Sequence, residues 1–329
     1  MAAVVGIRAW PRPVVLVCAT LLVAGCYYAA GRLGLSQQLT ADGSTVTPVW
    51  PPTGLAVACL LLFGPWCVPG IALGALLVIA SLGAPGAAAV GIVAGNTAAP
   101  VCAWLMLRAV GFRVNLSRLR DGLALVFLGA LTAMLVSSGA GVGMLLLSGK
   151  LPTHHLWLVW LAWWVGDATG VVLVTPLLLL LYRARLPPPS VRWTEAVGLA
   201  AVVCVLVPLI MYSSVSVLFL VYPLLIWSAL RFQLAGGIPC ALFASVMATV
   251  VARQEAGSFG RLTDVDTMMK LLAFNGTLGL TALLLSAVIS EQLNTRRSVE
   301  RACQELVEAL QHLNAGGSGN PGAPGGDVR

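Results

Sequence analysis

A single carboxylate, Asp167, stands inside an apolar run of spanning length from Trp157 to Leu181, and no other residue in the chain is better placed to do chemistry. A carboxylate near the middle of a membrane-spanning helix costs about 2.5–3.5 kcal/mol, so such groups normally face protein or water and have a task. Trp157, Trp160 and Trp164 precede it at spacings of three, four and three residues, which stacks the indoles and the carboxylate on one helix face. Indole faces attract cations, and a polar group beside an aromatic stripe can hold a polar or cationic ligand. Asp167, Trp160 and Trp164 are therefore candidate ligand-binding residues. Gly166 and Gly170 form a small-xxx-small pair that lets a neighbouring helix approach closely. Pro176 removes an internal hydrogen bond and is expected to kink the helix.

Two further candidates lie upstream. Asn96, in the apolar run Gly86–Leu107, needs hydrogen-bond partners in lipid and so should face the bundle, toward Asp167 or as simple helix-helix glue. Trp50 opens the stretch Trp50-Pro51-Pro52-Thr53-Gly54. Its two prolines place a helix start at Pro51, and the indole is either an interfacial anchor or part of the site. His154 and His155 are adjacent, point to different faces and have no third ligand nearby, so no metal site is expected. The eight cysteines show neither metal-ligand nor disulfide-framework spacing. No His/Asp/Glu, Cys/His or Ser/His cluster shares a segment, so neither an enzyme nor a cofactor is expected.

The elements that must position these residues follow from composition. The chain is 59% hydrophobic and only 9% charged, with mean hydropathy +0.93, against roughly a quarter charged in a soluble domain. It reads as an all-α, polytopic transmembrane helical bundle of about eight to ten helices. Ten apolar runs can be marked, of which the second, Gly54–Phe63, is short, as is the third, Cys67–Ser81. The first, Val14–Ala30, is a spanning helix rather than a signal peptide, because it continues past the lipoprotein-like Val23-Ala24-Gly25-Cys26. The net charge of +7 reflects short basic loops and not nucleic-acid binding. With the N-terminus inside, only Arg32, Lys150, Arg253, Arg261 and Lys270 of the 19 basic residues fall outside. That predicts a multi-pass plasma-membrane protein with both termini cytoplasmic.

Beyond the membrane part, 1–291, the sequence changes character. Residues 292–314 read as a cytoplasmic amphipathic helix with Val299, Cys303, Leu306, Leu310 and Leu313 in a short seam, suited either to homodimer pairing or to a lone helix. Residues 315–329, rich in Gly and Pro, are expected to be disordered.

Four motifs in order resemble the bacterial membrane-associated sensor domain of the first type, of the MASE family. They are Trp50 to Gly54, then Gly95-Asn96-Thr97, then Trp164 to Gly170 with Thr175-Pro176, and finally Pro223 to Trp227-Ser228-Ala229-Leu230-Arg231-Phe232. The match covers about residues 30–290. It marks Pro51, Pro52, Gly54, Gly166, Gly170, Pro176, Trp227 and Arg231 as structural motif positions. The resemblance implies an integral plasma-membrane input module of about eight helices, feeding a histidine kinase, a diguanylate cyclase or a cyclic-di-GMP phosphodiesterase. The forty residues after Ile289 carry no output motif of those kinds.

The expected function is therefore a receptor. It detects a small ligand or membrane partner near Asp167 and signals in trans, through its cytoplasmic helix, to a kinase or cyclic-nucleotide partner, with membrane lipid around it. The alternative is a secondary transporter using Asp167 as a proton or cation site.

Overall fold

The computed structural model describes residues 12–41, 44–83, 86–183, 193–215, 217–260 and 262–317. The described chain is a helical bundle, because lipid leaves backbone groups no partner but one another. Its elements are α1 (Arg12–Leu35), β1 (Leu39–Ala41), β2 (Ser44–Val46), α2 (Pro51–Phe63), α3 (Val68–Leu82), α4 (Ala87–Ala109), α5 (Leu119–Ala124), α6 (Met134–Leu147), α7 (Leu156–Arg183), α8 (Trp193–Tyr212), α9 (Val221–Phe232), α10 (Leu234–Arg253) and α11 (Asp264–Gly317).

Eight of the described helical stretches are long and apolar enough to cross a membrane, and two apolar helices, Pro51–Phe63 and Leu218–Phe232, are shorter. This corrects the expectation for the third run. A 3-10 turn at Pro65–Cys67 leads directly into α3, so Pro65–Leu82 reaches spanning length. The apolar run at about Val215–Leu230 is short instead: its helical stretch spans Leu218–Phe232, and Gln233 then turns the chain at φ 54°.

The contacts sort helix ends into two groups. At one end Tyr212 Oη donates to Gln254 Oε1 at 2.6 Å, Arg253 donates to the Ser36 carbonyl, and Lys270 Nζ donates to the Ser258 carbonyl at 3.0 Å. At the other, the rings of Phe63 and Tyr182 meet edge to face at 5.8 Å, Arg231 pairs with Glu195, and the Leu119 N–H donates to Glu291 at 2.8 Å. We call the first the hairpin end, after β1 and β2, and the second the basic end, where Arg108, Arg113, Arg120, Arg183 and Arg231 gather. Helices α1 and α3 run parallel, since Gly70 packs on Val23, Gly74 on Tyr27 and Val78 on Gly31 in the same order along both chains.

Parallel α1 and α3 oblige the chain between them to return across the bundle. It does so unusually. The two strands form a small antiparallel hairpin, Leu39 opposite Val46, which the polar composition of that stretch did not signal. Residues 47–50 then descend along α7, and α2 begins beside Gly170. From there α2 runs parallel to α7, Thr53 level with Asp167 and Phe63 level with Tyr182. A helix of 13 residues is sufficient because the extended segment covers the rest of the return.

Two long elements complete the frame. The apolar run Gly122–Leu147 is not one α-helix, since Leu125–Thr132 forms a π-helix between α5 and α6. Helix α7 is the central one, buried on every face from Gly166 to Leu173, and it continues through Pro176 without interruption. Helix α11 lies parallel to it, with Met268 and Leu272 packed with Ala162 and Gly279 against Val172 and Leu173. Burial along α11 ends at Ser290, yet the helix itself continues to Gly317. The remainder of the tail expected to be disordered, 318–329, lies outside the described residues.

Candidate functional site

Gly166 and Gly170 lie ten and fourteen residues into α7, about 15–21 Å from its start at 1.5 Å per residue. A Cβ at Gly166 would strike the Thr47 carbonyl, and one at Gly170 the Trp50 carbonyl. The pair therefore admits the extended chain 47–50, not a straight neighbouring helix as their spacing suggested. The Trp50 N–H donates to the Gly166 carbonyl at 3.0 Å, meeting the need for internal partners that non-helical backbone has inside a membrane. Gly54 abuts the Gly170 carbonyl, and Thr175 Oγ1 donates to the Gly54 carbonyl at 2.9 Å. Pro51 and Pro52 open α2 at this point.

This seam fixes Thr53 over Asp167. Thr53 Oγ1 donates to Asp167 Oδ1 at 2.6 Å, with both groups buried. Asp167 is only 1% exposed, and its second oxygen, Oδ2, has no hydrogen-bond partner of good geometry. Ser137 and Trp163 also lie beside the carboxylate. Tyr27 Oη, on a side chain also 1% exposed, is likewise unpartnered and lies close to both Asp167 and Trp50. Both residues line a cavity of about 310 Å³, within the size range of small-molecule sites. Its other walls include Trp50, Asn96 and Trp163, together with apolar residues of α3, α4 and α6 toward the hairpin end.

Three of the five candidate binding residues, Asp167, Asn96 and Trp50, thus meet at one cavity. Asn96 does not bond to Asp167 directly. Its Oδ1 accepts from Ser137 Oγ at 2.8 Å, and Ser137 Oγ in turn accepts from Trp163 Nε1 at 3.3 Å. Trp160 and Trp164 do not line the cavity. They do stack, at 5.8 Å and 18°, and Trp157 meets Trp160 edge on at 5.9 Å, but the stripe faces away. The Trp164 indole donates to the Leu131 carbonyl at 2.8 Å, serving the π-helical segment, and Trp160 packs beside Val142, Leu151 and Val159. The aromatic wall is Trp163 instead. At 3.6 residues per turn, Trp163 lies about 40° to one side of Asp167 and Trp164 about 60° to the other, so helical spacing alone could not choose between them.

Residues missed by sequence reasoning were Tyr27, Thr53, Ser137 and Trp163. Thr53 belongs to the Trp50–Gly54 stretch and Ser137 opens a run of small residues, Ser137–Gly143, whereas Tyr27 gives no signal beyond its own polar tip. Trp227 lies on the bundle exterior, half exposed, and Arg231 serves an ion pair with Glu195 at the basic end.

A family model described as MASE1 matches residues 19–293. The chain belongs to the MASE1 family. It is accordingly a multi-pass membrane protein with a sensor-type domain, and the match takes in α2 to α10 whole. No curated protein and no solved structure gave a match. The MASE1 bundle holds a second polar anomaly on the far side of α7. Asn275 of α11 is 0% exposed, and neither its Oδ1 nor its Nδ2 has a partner. Asn275→Leu removes two unpaired polar atoms at similar volume, and it is expected to stabilise the bundle by about 1–2 kcal/mol. The measurement is melting temperature in detergent; a fall would reveal a bonded Asn275.

Proposed function

We propose that this MASE1 chain is a receptor whose input site is the cavity above Asp167 and whose output element is α11. The observation that carries the reading is the pair of buried, unpartnered groups, Asp167 Oδ2 and Tyr27 Oη, on two side chains that line one cavity. Buried polar groups left unpaired are costly, so a bound molecule that satisfies them is favoured. The cavity is walled by one face of α7 while the opposite face packs along α11. A displacement of α7 on binding therefore reaches α11 through direct side-chain contact. Helix α11 carries it about forty residues further, to a kinase or cyclic-nucleotide enzyme that recognises the exposed stretch beyond Ser290.

Close packing below the carboxylate supports a receptor over a transporter, since Gly54, Gly170 and Thr175 seal the bundle toward the basic end. Substrate flux in reconstituted vesicles, dependent on Asp167, would restore the transporter reading.

The placement of basic residues supports a plasma-membrane orientation with the basic end and both termini in the cytoplasm. Reporter fusions at Gly111 and Gly149 should then report opposite sides, with Gly111 cytoplasmic. The same side for both would break the assignment of α5 and α6 to one crossing.

Val299, Leu306 and Leu310 are all more than half exposed on α11. Changing Leu306 and Leu310 to Asp should therefore alter folding by less than about 1 kcal/mol. Signalling should be lost while membrane insertion and melting temperature hold. Unaltered output from that double variant would remove the seam from the mechanism.

A further inference from the structure

The chemistry of the cavity goes further than the presence of a ligand, and it rests on the reading of that cavity as an input site. Among the described residues its lining includes Asp167 and no Lys, Arg or His. Among the described residues Asp167 forms no ion pair, and only one of its oxygens is hydrogen-bonded, to Thr53. A buried carboxylate without a counter-charge is strongly unfavourable unless it takes up a proton or a cation joins it, and the site is walled by groups that suit the cation. Beside it stand three aromatic side chains, Tyr27, Trp50 and Trp163, and ammonium groups are drawn to such rings when desolvated. The remaining wall is chiefly aliphatic, including Ile79, Ile92 and Leu145.

We propose that the cavity binds a small organic cation, an ammonium group on an apolar body, with Asp167 Oδ2 as its counter-charge and Tyr27, Trp50 and Trp163 as its aromatic flank.

Other ligand classes fit less well. An anion would meet the carboxylate with no basic residue to offset it. A calcium ion needs six to eight oxygen ligands, whereas the cavity's polar side chains are few and Asn96 is already engaged by Ser137. A neutral molecule would compensate Asp167 only if the carboxyl took up a proton, and it would make no use of the three aromatic faces as a cation does. The volume of about 310 Å³ equals roughly ten water molecules at about 30 Å³ each, which accommodates an ammonium group with a ring or short chain.

The test uses the full chain in lipid nanodiscs and calorimetric titration with cyclohexylammonium, cyclohexanol and cyclohexanecarboxylate, which share one apolar body and differ in charge. Cyclohexylammonium is expected to bind at least about tenfold more tightly than cyclohexanol, and the carboxylate not to bind. Asp167→Asn keeps an acceptor for Thr53 and should fold, yet it should reduce ammonium affinity to the level of the alcohol. Trp163→Leu should weaken ammonium binding several-fold and Trp163→Phe much less, a contrast that loss of packing alone would not give.

Equal binding of ammonium and alcohol, undiminished ammonium binding by Asp167→Asn, or no binding of any probe would each overturn the cation site. A fluorophore on the exposed Cys303 of α11 separates this from the receptor reading. Asp167-dependent ammonium binding that leaves the Cys303 signal unmoved upholds the site and overturns the receptor. A Cys303 response to cyclohexanol equal to that for the ammonium upholds the receptor and overturns the cation class.

Discussion

Gly170→Val is expected to cost about 3 kcal/mol or more and to release the segment 47–50 from α7. Overpacking a filled interior costs about 1–3 kcal/mol where side chains can yield, but here the added carbon meets the Trp50 carbonyl, which is backbone. That backbone has little freedom to retreat, because the Trp50 N–H is bonded to the Gly166 carbonyl and α2 starts at the next residue. Gly139→Ala supplies the control. Nothing lies within 4 Å of a Cβ built there, so the exchange should be neutral or add up to about 1 kcal/mol through helix propensity. The measurement is melting temperature in detergent, with limited proteolysis around residues 36–50. A valine variant as stable as the alanine control would show that the extended chain does not sit on α7.

The second large effect separates stability from response at Asp167. Thr53→Val deletes the donor to Oδ1 and leaves a buried carboxylate with neither oxygen paired, which should destabilise by about 2–4 kcal/mol. Asp167→Asn has the opposite balance. Its amide oxygen still accepts from Thr53 and the charge is removed, so the fold should hold within about 1 kcal/mol. The response should be abolished in Asp167→Asn although the protein melts near the wild-type temperature. Output and melting temperature, measured side by side on the two variants, test this. A stable and fully responsive Asn variant would reduce Asp167 to a packing residue. A Thr53→Val variant as stable as wild type would mean that the 2.6 Å bond contributes nothing.

The linear chain determined a good deal. Hydropathy and the low charged fraction established an all-α membrane bundle, because only helices satisfy their own backbone groups along such apolar runs. The short motifs identified the family across most of the bundle. The lone carboxylate, together with Asn96 and Trp50, pointed to residues that do meet in one cavity. Each of these is a property of local composition or of a single side chain's cost in lipid, and it needs no knowledge of what lies opposite.

Only the tertiary structure decided what each of those groups faces. Helical periodicity put Trp160 and Trp164 in a stripe with Asp167, but the stripe turns toward the π-helical segment while Trp163 turns to the cavity. Both choices are consistent with i, i+3 and i, i+4 spacing, and the neighbours of α7 settle between them. The small-residue pair Gly166 and Gly170 announced a close approach without saying that an extended backbone makes it. Thr53 reaches Asp167 from 114 positions away in sequence, and Tyr27 from farther still. No local pattern encodes that proximity, and it is the arrangement of these groups about one unpaired oxygen that places a costly residue at the centre of the proposed site.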